Sequence, residues 1–329
     1  MSQDFHQGSA RRDVLSKSQS MAILSSLPEP WRSMDFQIFP LVSESNHNYL
    51  LQLPEGYEAV QEPLVLRVPK RDEKVLGADQ SLEFKLYRWA AKQGLSPELL
   101  WTNEGNGVLL TKYIQDEQPG EQSTEQSRGL VEAIASSLSK LHGTQPESLG
   151  FDVKTRCILE HISFYRRQLG SSVRSFCEAN DLSDLDNIYE DVALTWSKLE
   201  FDKSLCHCDL HRDNILLKGG RSYFVDWEYV ALSPAVLDIA SLQQSYHWSP
   251  DLFDQFLDIY SVQTRSAVAK RYDSFKQQLP LARFLLAVQS LYWALLHYRS
   301  GHGVERAGPG RISVSYARAL KAEINLLKY

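Results

Sequence analysis

The stretch that decides the fold is Leu205–Leu217, with the sequence LCHCDLHRDNILL, and FVDWEYV follows it at 224–230. The first stretch contains the spacing His-x-Asp-x-x-x-x-Asn, and the turn Lys218–Arg221 separates the two. That turn contains two consecutive glycines, which permit a tight hairpin. We therefore expect the chain to leave the position of Asp209 in a loop and to return as a strand that ends at Asp226.

These residue types suit phosphoryl transfer. The reaction needs an oriented hydroxyl nucleophile and a divalent metal ion that neutralises charge between the β- and γ-phosphates. The carboxylate of Asp209 can accept or orient the proton of a substrate hydroxyl. Asn214 and Asp226 carry the hard oxygen ligands that Mg²⁺ prefers. The two stretches therefore predict a kinase site that uses ATP and Mg²⁺.

The two stretches together resemble the aminoglycoside phosphotransferase and choline kinase superfamily, which has the protein-kinase-like fold. HCDLHRDNILL followed by FVDWEYV is the form that these enzymes use. Protein kinases instead have Asp-Phe-Gly, an activation segment and Ala-Pro-Glu. This chain runs directly from Asp226 to Pro234 and Asp238, which favours the small-molecule branch.

The resemblance implies a role for each polar residue of the motif. Asp209 would be the catalytic base, and Asn214 and Asp226 would be metal ligands. His207 would brace the catalytic loop rather than react. Asp238 would cap or tether the loop from a following helix.

The rest of the chain predicts an α+β fold with two lobes. Residues 1–20 are polar and lack apolar periodicity, which predicts a flexible tail. Residues 21–112 predict a small antiparallel sheet with one helix, which would bind the nucleotide. Residues 113–329 are mainly helical and predict a larger lobe for catalysis and acceptor binding, and the polar segment 115–128 is the best candidate for the boundary.

The strands of the small lobe are short apolar runs between turn residues. Three are expected before the helix and two after it: Asp35–Val42, Tyr49–Leu53, Leu64–Val68, Leu99–Thr102 and Gly107–Thr111. The hairpin tip Ser43–Asn48 resembles the phosphate-covering loop of choline- and thiamine-kinase-like proteins, although it has no glycine. Ser45 and Asn46 could offer amide donors there, and an ordinary hairpin turn is the alternative.

Further nucleotide contacts are expected from the third strand, the helix and the connection between the lobes. Arg67 lies where the family places a basic residue, and Lys70 is a competitor for the same role. Glu83 could pair with Arg67 and fix it, or it could lie on a solvated helix face. The segment Thr111–Ile114, which includes Tyr113, is expected to offer backbone groups to adenine.

The acceptor site is predicted from aromatic residues around the motif and in the last helices. An aromatic cage would attract a cationic group such as choline or thiazolium, and a carboxylate could assist it. The predicted substrate residues are Glu228, Trp227, Tyr246 and Trp293. The alternative is that these aromatic side chains belong to the core of a helical lobe.

The composition of the chain further limits which class of protein it can be. The formal net charge of −6 argues against a nucleic-acid partner, and four cysteines in 329 residues suit a reducing cytosol rather than a disulfide scaffold. The polar N-terminus predicts no signal peptide, and the apolar stretch Phe284–Tyr298 is short for a membrane span. We therefore expect a cytoplasmic protein whose partner is a small-molecule acceptor, and its oligomeric state stays open.

Three functions remain after this reading. The first is a kinase for the hydroxyl of a choline-, ethanolamine- or thiamine-like compound. The second is another kinase of the superfamily, acting on an aminoglycoside, a sugar or an amino alcohol. The third is a pseudokinase that binds nucleotide without turnover; the missing glycines at 43–48 favour it, whereas intact Asp209, Asn214 and Asp226 argue against it.

Overall fold

The computed structural model describes residues 15–41, 46–54, 62–69, 80–118, 124–263, 272–299 and 309–327. The chain divides into two compact units, Met1–Gln115 and Asp116–Tyr329. This division lies three residues beyond the boundary expected between 112 and 113. The first unit contains the larger sheet and the second is rich in helices, so the predicted α+β class is confirmed.

The first unit is built on a five-stranded antiparallel sheet in the order β1-β2-β3-β5-β4. Its inward side chains, such as Ile38, Leu51 and Leu66, are fully buried because alternate residues of each strand face the core. The elements are β1 Gln37–Leu41, β2 Asn46–Gln52, β3 Leu64–Pro69, β4 Leu99–Asn103, β5 Val108–Lys112, α1 Lys17–Leu24 and α2 Gln80–Lys92.

Helix α1 extends into the stretch that was predicted to be a flexible tail. Ser16 begins it with a capping box: its hydroxyl accepts from the N–H of Gln19, whose side-chain oxygen accepts from the N–H of Ser16. Leu24, at its end, is buried in the core of the sheet. Residues 17–20 are therefore helical, which the lack of apolar periodicity in 1–20 did not indicate.

Strand β2 begins three residues earlier than predicted. Asn48 pairs with Leu41 on one side and with Arg67 on the other, so residues 46–48 of the segment expected to be a hairpin tip belong to the ladder. Asn46 is the first residue of the strand and is buried. Ser45 and Lys70 lie outside the described residues.

The second unit consists of helices and two small antiparallel pairs of strands, β6 with β9 and β7 with β8. The strands place the motif, and the helices surround it. The helices are α3 Thr124–His142, α4 Ile158–Leu169, α5 Ser172–Ala179, α6 Leu185–Ser197, α7 Ala235–Tyr246, α8 Pro250–Gln263, α9 Tyr272–Arg299 and α10 Pro309–Leu327. The strands are β6 Lys203–Cys206, β7 Ile215–Lys218, β8 Arg221–Phe224 and β9 Ala231–Pro234.

Helix α9 is the most apolar element of the second unit. By length and composition alone, Gln277–Leu296 could cross a membrane, and half of it is buried inside the protein. Phe284, Leu285 and Val288 are fully buried, and the helix packs against α4, α7 and α10. This burial is the environment of a core helix.

Candidate active site

The motif forms a loop between two strands and a hairpin that returns to it. Strand β6 ends at Cys206, and the loop, which ends in a short 3₁₀ turn, leads into β7. Gly219 and Gly220 both have positive φ, at +56° and +71°, as the tight turn between β7 and β8 requires. Asp226 follows the end of β8, so the expected return of the chain is confirmed.

Asp238 on α7 holds the backbone of the catalytic loop. Its Oδ2 accepts from the N–H of His207 at 2.7 Å and its Oδ1 from the N–H of Cys208 at 2.9 Å. The side chain is buried, with 1% exposed. Burial acts to raise the pKa of Asp238, but the hydrogen bond from His142 and the charges and donors around it hold that pKa below its usual value. The tether is therefore an ionised carboxylate.

A buried network continues from this tether into the helices. The ring of His142 on α3 bonds through Nε2 to Oδ2 of Asp238 at 3.1 Å and through Nδ1 to the hydroxyl of Tyr260 on α8 at 2.8 Å. Cys206 brings a third possible metal-ligand atom near His142 and Asp238, all within 4.8 Å. Burial raises the pKa of the Cys206 thiol well above its usual value, and this thiol donates to the carbonyl of Ser233. The cluster is therefore a hydrogen-bonded network rather than an open metal site.

His207 braces the loop from the interior. Its ring is fully buried against Trp227, at 4.9 Å between centroids, and its Nε2–H donates to the carbonyl of Val225 at 2.9 Å. Burial lowers the pKa of His207, so the ring is neutral at neutral pH. The N–H of Val225 in turn donates to the carbonyl of Asn214 at 3.0 Å. Two bonds on one residue thus fix the strand end that carries Asp226.

Trp227 does not contact the acceptor, which corrects the sequence prediction. Its indole ring is fully buried between His207 and Phe224, and its Nε1–H donates to the carbonyl of Phe224 at 3.2 Å. A tryptophan whose faces and N–H are all satisfied inside the fold has no surface left for a ligand.

Two residues of the site have a left-handed backbone. Cys208, directly before Asp209, has φ +64°, and Asp226 has φ +66°. This region is costly for residues other than glycine, and such strain persists only where surrounding contacts impose it. The tether from Asp238 to the N–H of Cys208 is such a contact. No sequence signal indicated either conformation.

Asp209 lies at the surface of the loop as an ionised group. Its side chain is 39% exposed, and Oδ2 lies 3.7 Å from Nε2 of His211. Asn214 donates from Nδ2 to the same Oδ2 at 3.1 Å and to the backbone carbonyl of Asp209 at 2.9 Å. Burial acts to raise the pKa of Asp209, but neighbouring His211 and other positive charges lower it below its usual value. An oriented carboxylate of this kind can accept a proton from a hydroxyl.

The donor set fits a magnesium ion. The amide nitrogen of Asn214 is engaged by Asp209 and His211, whereas its Oδ1 has no hydrogen-bond partner within the part of the chain that the structure describes. Asp226 adds a carboxylate. A carboxamide oxygen and a carboxylate are the hard ligands that Mg²⁺ takes.

The segment Asp116–Gln118 holds the outer side of the loop, and sequence reasoning missed it. Asp116 accepts from the N–H of Leu217 at 2.8 Å, and Gln118 donates to the carbonyls of Arg212 and Ile215. The hydroxyl of Tyr246 donates to Oε1 of Gln118 at 2.9 Å.

Tyr246 therefore supports this segment, and its predicted contact with the acceptor stays a prediction. Its ring also stacks on Trp248, at 5.0 Å between centroids, and lies under the guanidinium of Arg212 at 5.7 Å.

Arg156 is a second residue that sequence reasoning missed. Its guanidinium lies 5.1 Å from the centroid of the Tyr229 ring, and Nη1 donates to the carbonyl of Tyr229 at 3.4 Å. It lies between α3 and α4, where no motif indicated a function. Glu228 and Trp293 are each half-buried, and their contact with an acceptor stays a prediction.

In the first unit the predicted pair of Arg67 and Glu83 is confirmed. Nη2 of Arg67 lies 2.5 Å from Oε1 of Glu83, and the side chains are only 11% and 3% exposed. A buried, paired guanidinium is held in one direction, which suits phosphate binding. The nucleotide contacts of Arg67, Glu83 and Asn46 stay predictions.

The expected adenine donors are partly used by the sheet. The N–H of Lys112 donates to the carbonyl of Glu98, and that of Tyr113 to the carbonyl of Pro63, both at 2.9 Å. Thr111 is buried and paired on both sides, because β5 lies between β3 and β4. The backbone N–H groups of Lys112 and Tyr113 are thus committed within the fold, and a contact of other backbone groups of this segment with adenine stays a prediction.

The sequence is similar to that of known proteins. A family model described as the phosphotransferase enzyme family matches residues 40–273. Protein LicA from Haemophilus influenzae is 25% identical over 218 residues, which are 64% of this chain. The match covers 61% of one LicA sequence and 77% of that from strain KW20, so the chain spans less than two thirds of the first.

Solved structures share the fold. A choline/ethanolamine kinase family protein from Mesorhizobium loti superposes with a TM-score of 0.71 at 17% identity, over 93% of this chain and 94% of that one. The choline kinase LicA from Streptococcus pneumoniae has a TM-score of 0.64 at 19% identity, over 94% and 98%. The predicted fold is thereby confirmed.

Proposed function

Since this chain belongs to the phosphotransferase enzyme family, we propose that it transfers the γ-phosphoryl group of ATP to the hydroxyl of a small molecule. The observation that carries the proposal is the state of Asp209: ionised, accessible and oriented by the amide of Asn214. A structural carboxylate would be buried and fully bonded, as Asp238 is. A binding-only module has no need of such a group.

The acceptor hydroxyl would donate a hydrogen bond to the carboxylate of Asp209. As the bond from the hydroxyl oxygen to the γ-phosphorus forms and the bridging bond to ADP breaks, Asp209 receives the hydroxyl proton. Because the transition state is loose, the main contribution of this group is to aim the oxygen at phosphorus. The hydrogen bonds of Asp238 and His207 hold the loop in one conformation, so the orientation of the Asp209 carboxylate stays fixed.

Asn214 and Asp226 would hold Mg²⁺, with Oδ1 of Asn214 and the carboxylate of Asp226 as ligands. When bound, the ion would neutralise negative charge on the phosphates. Arg67, held by Glu83, would bind phosphate oxygens from the sheet-bearing unit.

The names of the relatives support a proposal for the acceptor class. The solved LicA is named a choline kinase, and the Mesorhizobium protein belongs to a choline/ethanolamine kinase family. We therefore propose an amino alcohol as the acceptor, with Glu228 as the residue placed to meet its ammonium group. Because Trp227 is fully buried in the core, fewer aromatic side chains than predicted remain to bind the cation.

An acceptor screen tests the proposal. Release of ADP is measured with choline, ethanolamine, thiamine, an aminoglycoside and neutral sugars. The change Asp209→Asn should lower turnover by roughly 10²-fold or more while ATP binding persists. Asp213→Asn, at an aspartate of the same loop with a side chain 91% exposed, is the matched control and should retain turnover.

Near-wild-type turnover of Asp209→Asn would refute the assignment of the base. Binding of ATP without turnover of any acceptor would support the pseudokinase alternative.

A separate variant tests the assignment of Asp226 as a metal ligand. Asp226→Ala should abolish the magnesium dependence of nucleotide binding, and an unchanged magnesium titration would contradict the assignment.

A further inference from the structure

Arg156 indicates a finer property of the acceptor, which rests on the function proposed above. We infer that the acceptor carries an anionic group in addition to its hydroxyl, and that the guanidinium of Arg156 binds this group. The proposed amino alcohol would therefore also carry a carboxylate or phosphate, and a simple hydroxy acid serves as a probe for the anionic group alone.

The backbone places Arg156 close to the catalytic loop. Leu232 on β9 donates to the carbonyl of Lys154 at 2.9 Å, and Arg156 donates back to the carbonyl of Leu232 at 3.0 Å. Strand β9 pairs with β6, whose last residue, Cys206, leads directly into the loop. Arg156 thus belongs to the same small layer of strands that positions Asp209.

The side chain is directed to the turn that follows Asp226. Its guanidinium lies on the face of the Tyr229 ring, and Nη1 reaches the carbonyl of Tyr229. Tyr229 is three residues from Asp226 and directly follows Glu228. Arg156 therefore lies at the turn that carries one predicted metal ligand and one predicted acceptor residue.

Arg156 has donors to spare. A guanidinium has five N–H donors, and among the described residues this side chain makes one long hydrogen bond, to Tyr229, and no ion pair. Three other arginines that are not exposed are each paired with a carboxylate: Arg67 with Glu83, Arg166 with Asp186 and Arg283 with Glu323. A half-buried guanidinium left with free donors beside an active site is suited to binding an anion.

The charge of Arg156 acts on several neighbouring titratable groups. It is one of the charges that lower the pKa of Asp209. Burial, followed by the charge of Arg156, also lowers the pKa of His161 to about 4.

The same geometry disfavours a purely cationic acceptor at Tyr229. The face of this ring, which could attract a quaternary ammonium group, is already covered by a guanidinium. A second cation there would be repelled. A carboxylate or phosphate would instead form charge-assisted hydrogen bonds with Arg156, whose guanidinium can bind two oxygens at once.

Matched acceptors that differ only by a carboxylate test this inference. Serine is ethanolamine with an added carboxylate, and glycerate is the corresponding oxidised form of glycerol. Wild-type kcat/KM should be higher for serine than for ethanolamine and higher for glycerate than for glycerol. The change Arg156→Gln should lower kcat/KM for the carboxylate-bearing members by about 10- to 100-fold, mainly through KM, and change the others by less than about 3-fold.

Two further variants separate binding from folding. Arg156→Lys keeps the charge and should restore part of the preference, and Arg167→Gln, at an exposed position of α4, should leave it unchanged. Equal loss for both members of each pair would show that Arg156 acts on the phosphoryl group or on the fold, and would overturn the inference. A preference for ethanolamine that Arg156→Gln leaves intact would overturn it as well.

The outcome is separable from that of the proposed function. If Asp209-dependent turnover occurs with ethanolamine or choline alone, the kinase function stands and this inference fails. If no acceptor turns over, calorimetric titration of the protein with glycerate and with glycerol still decides it. Binding of glycerate that is lost in Arg156→Gln supports an anion site, whereas equal or absent binding of both refutes it.

Discussion

The α7 side of the catalytic loop and its Tyr229 side are built differently. On the α7 side, Asp238, His142 and Tyr260 are buried and joined by hydrogen bonds of 2.8 and 3.1 Å. On the other side, Arg156 and Tyr229 are half-buried and make a cation–π contact with one long hydrogen bond.

The difference separates positioning from recognition. A buried polar group must be fully satisfied, and a network in which every member is satisfied holds one geometry. A half-buried group with unused hydrogen-bond donors can form further hydrogen bonds with a ligand. Substitutions on the α7 side should therefore cost stability and turnover together, whereas those on the Tyr229 side should change selectivity or pH dependence.

The largest effect is expected for Asp238→Ala. It leaves two loop N–H groups and His142 without their acceptor, so the free energy of unfolding should fall by about 3–5 kcal/mol. Turnover should be lost with it, and Asp238→Asn, which keeps one acceptor oxygen, should lose less. Urea denaturation measures the free energy of unfolding, and ADP release measures turnover. A loss below about 1 kcal/mol for the alanine variant would break the comparison.

His142→Ala should have the next largest effect. It removes one donor to Asp238 and leaves a buried space, at a cost of about 2–3 kcal/mol. Tyr260→Phe removes only the hydroxyl at the far end of the network and should cost about 1 kcal/mol. The same denaturation assay compares them, and a larger effect for Tyr260→Phe would contradict the order of the network.

The pH dependence of stability probes the other side through His161. Its pKa in the folded protein is about 4, below the ordinary 6.5, so between these values the unfolded chain binds a proton that the folded chain does not. The free energy of unfolding should therefore decrease as the pH falls from 6.5 to 4, by about 1–2 kcal/mol after allowance for solvent screening. His161→Gln should lack this contribution, and His47→Gln, at an exposed position, should retain it. Identical pH profiles for wild type and His161→Gln would refute the expectation.

The smallest effect is expected at Tyr229. Tyr229→Phe keeps the ring under Arg156 and should change the free energy of unfolding by less than about 0.5 kcal/mol. Tyr229→Leu removes the cation–π contact and should cost about 0.5–1 kcal/mol. Thermal unfolding of the two variants measures the contrast, and an equal loss in both would show that the ring contact contributes nothing.

Local sequence was sufficient for several parts of the site. The hairpin follows from two adjacent glycines, and the order of Asp209, Asn214 and Asp226 follows from one motif. The pair of Arg67 and Glu83 followed from a strand and the next helix. In each case the residues that carry the prediction are close together in the sequence, or the number of residues between them varies little within the fold.

The same method failed where an outcome depended on distant packing. Trp227 was predicted to contact substrate because an aromatic next to a motif has the same sequence signal whether it faces a ligand or the core. Its burial depends on His207 and Phe224 closing around it. The hydrogen bond of Tyr246 to Gln118, 128 residues away in the chain, is likewise a contact that no local signal indicated.

The sequence by itself determined the kinase-type loop, the α+β class and the carboxylates available for chemistry. Only the tertiary structure decided which polar groups are satisfied inside the fold and which remain available to a ligand. The resemblance implied a tether for Asp238, which the structure confirms, whereas nothing in the sequence around Arg156 indicated a function. Burial and partners from remote elements make the first a tether and leave the second with free donors, because desolvation and hydrogen bonding depend on the whole fold.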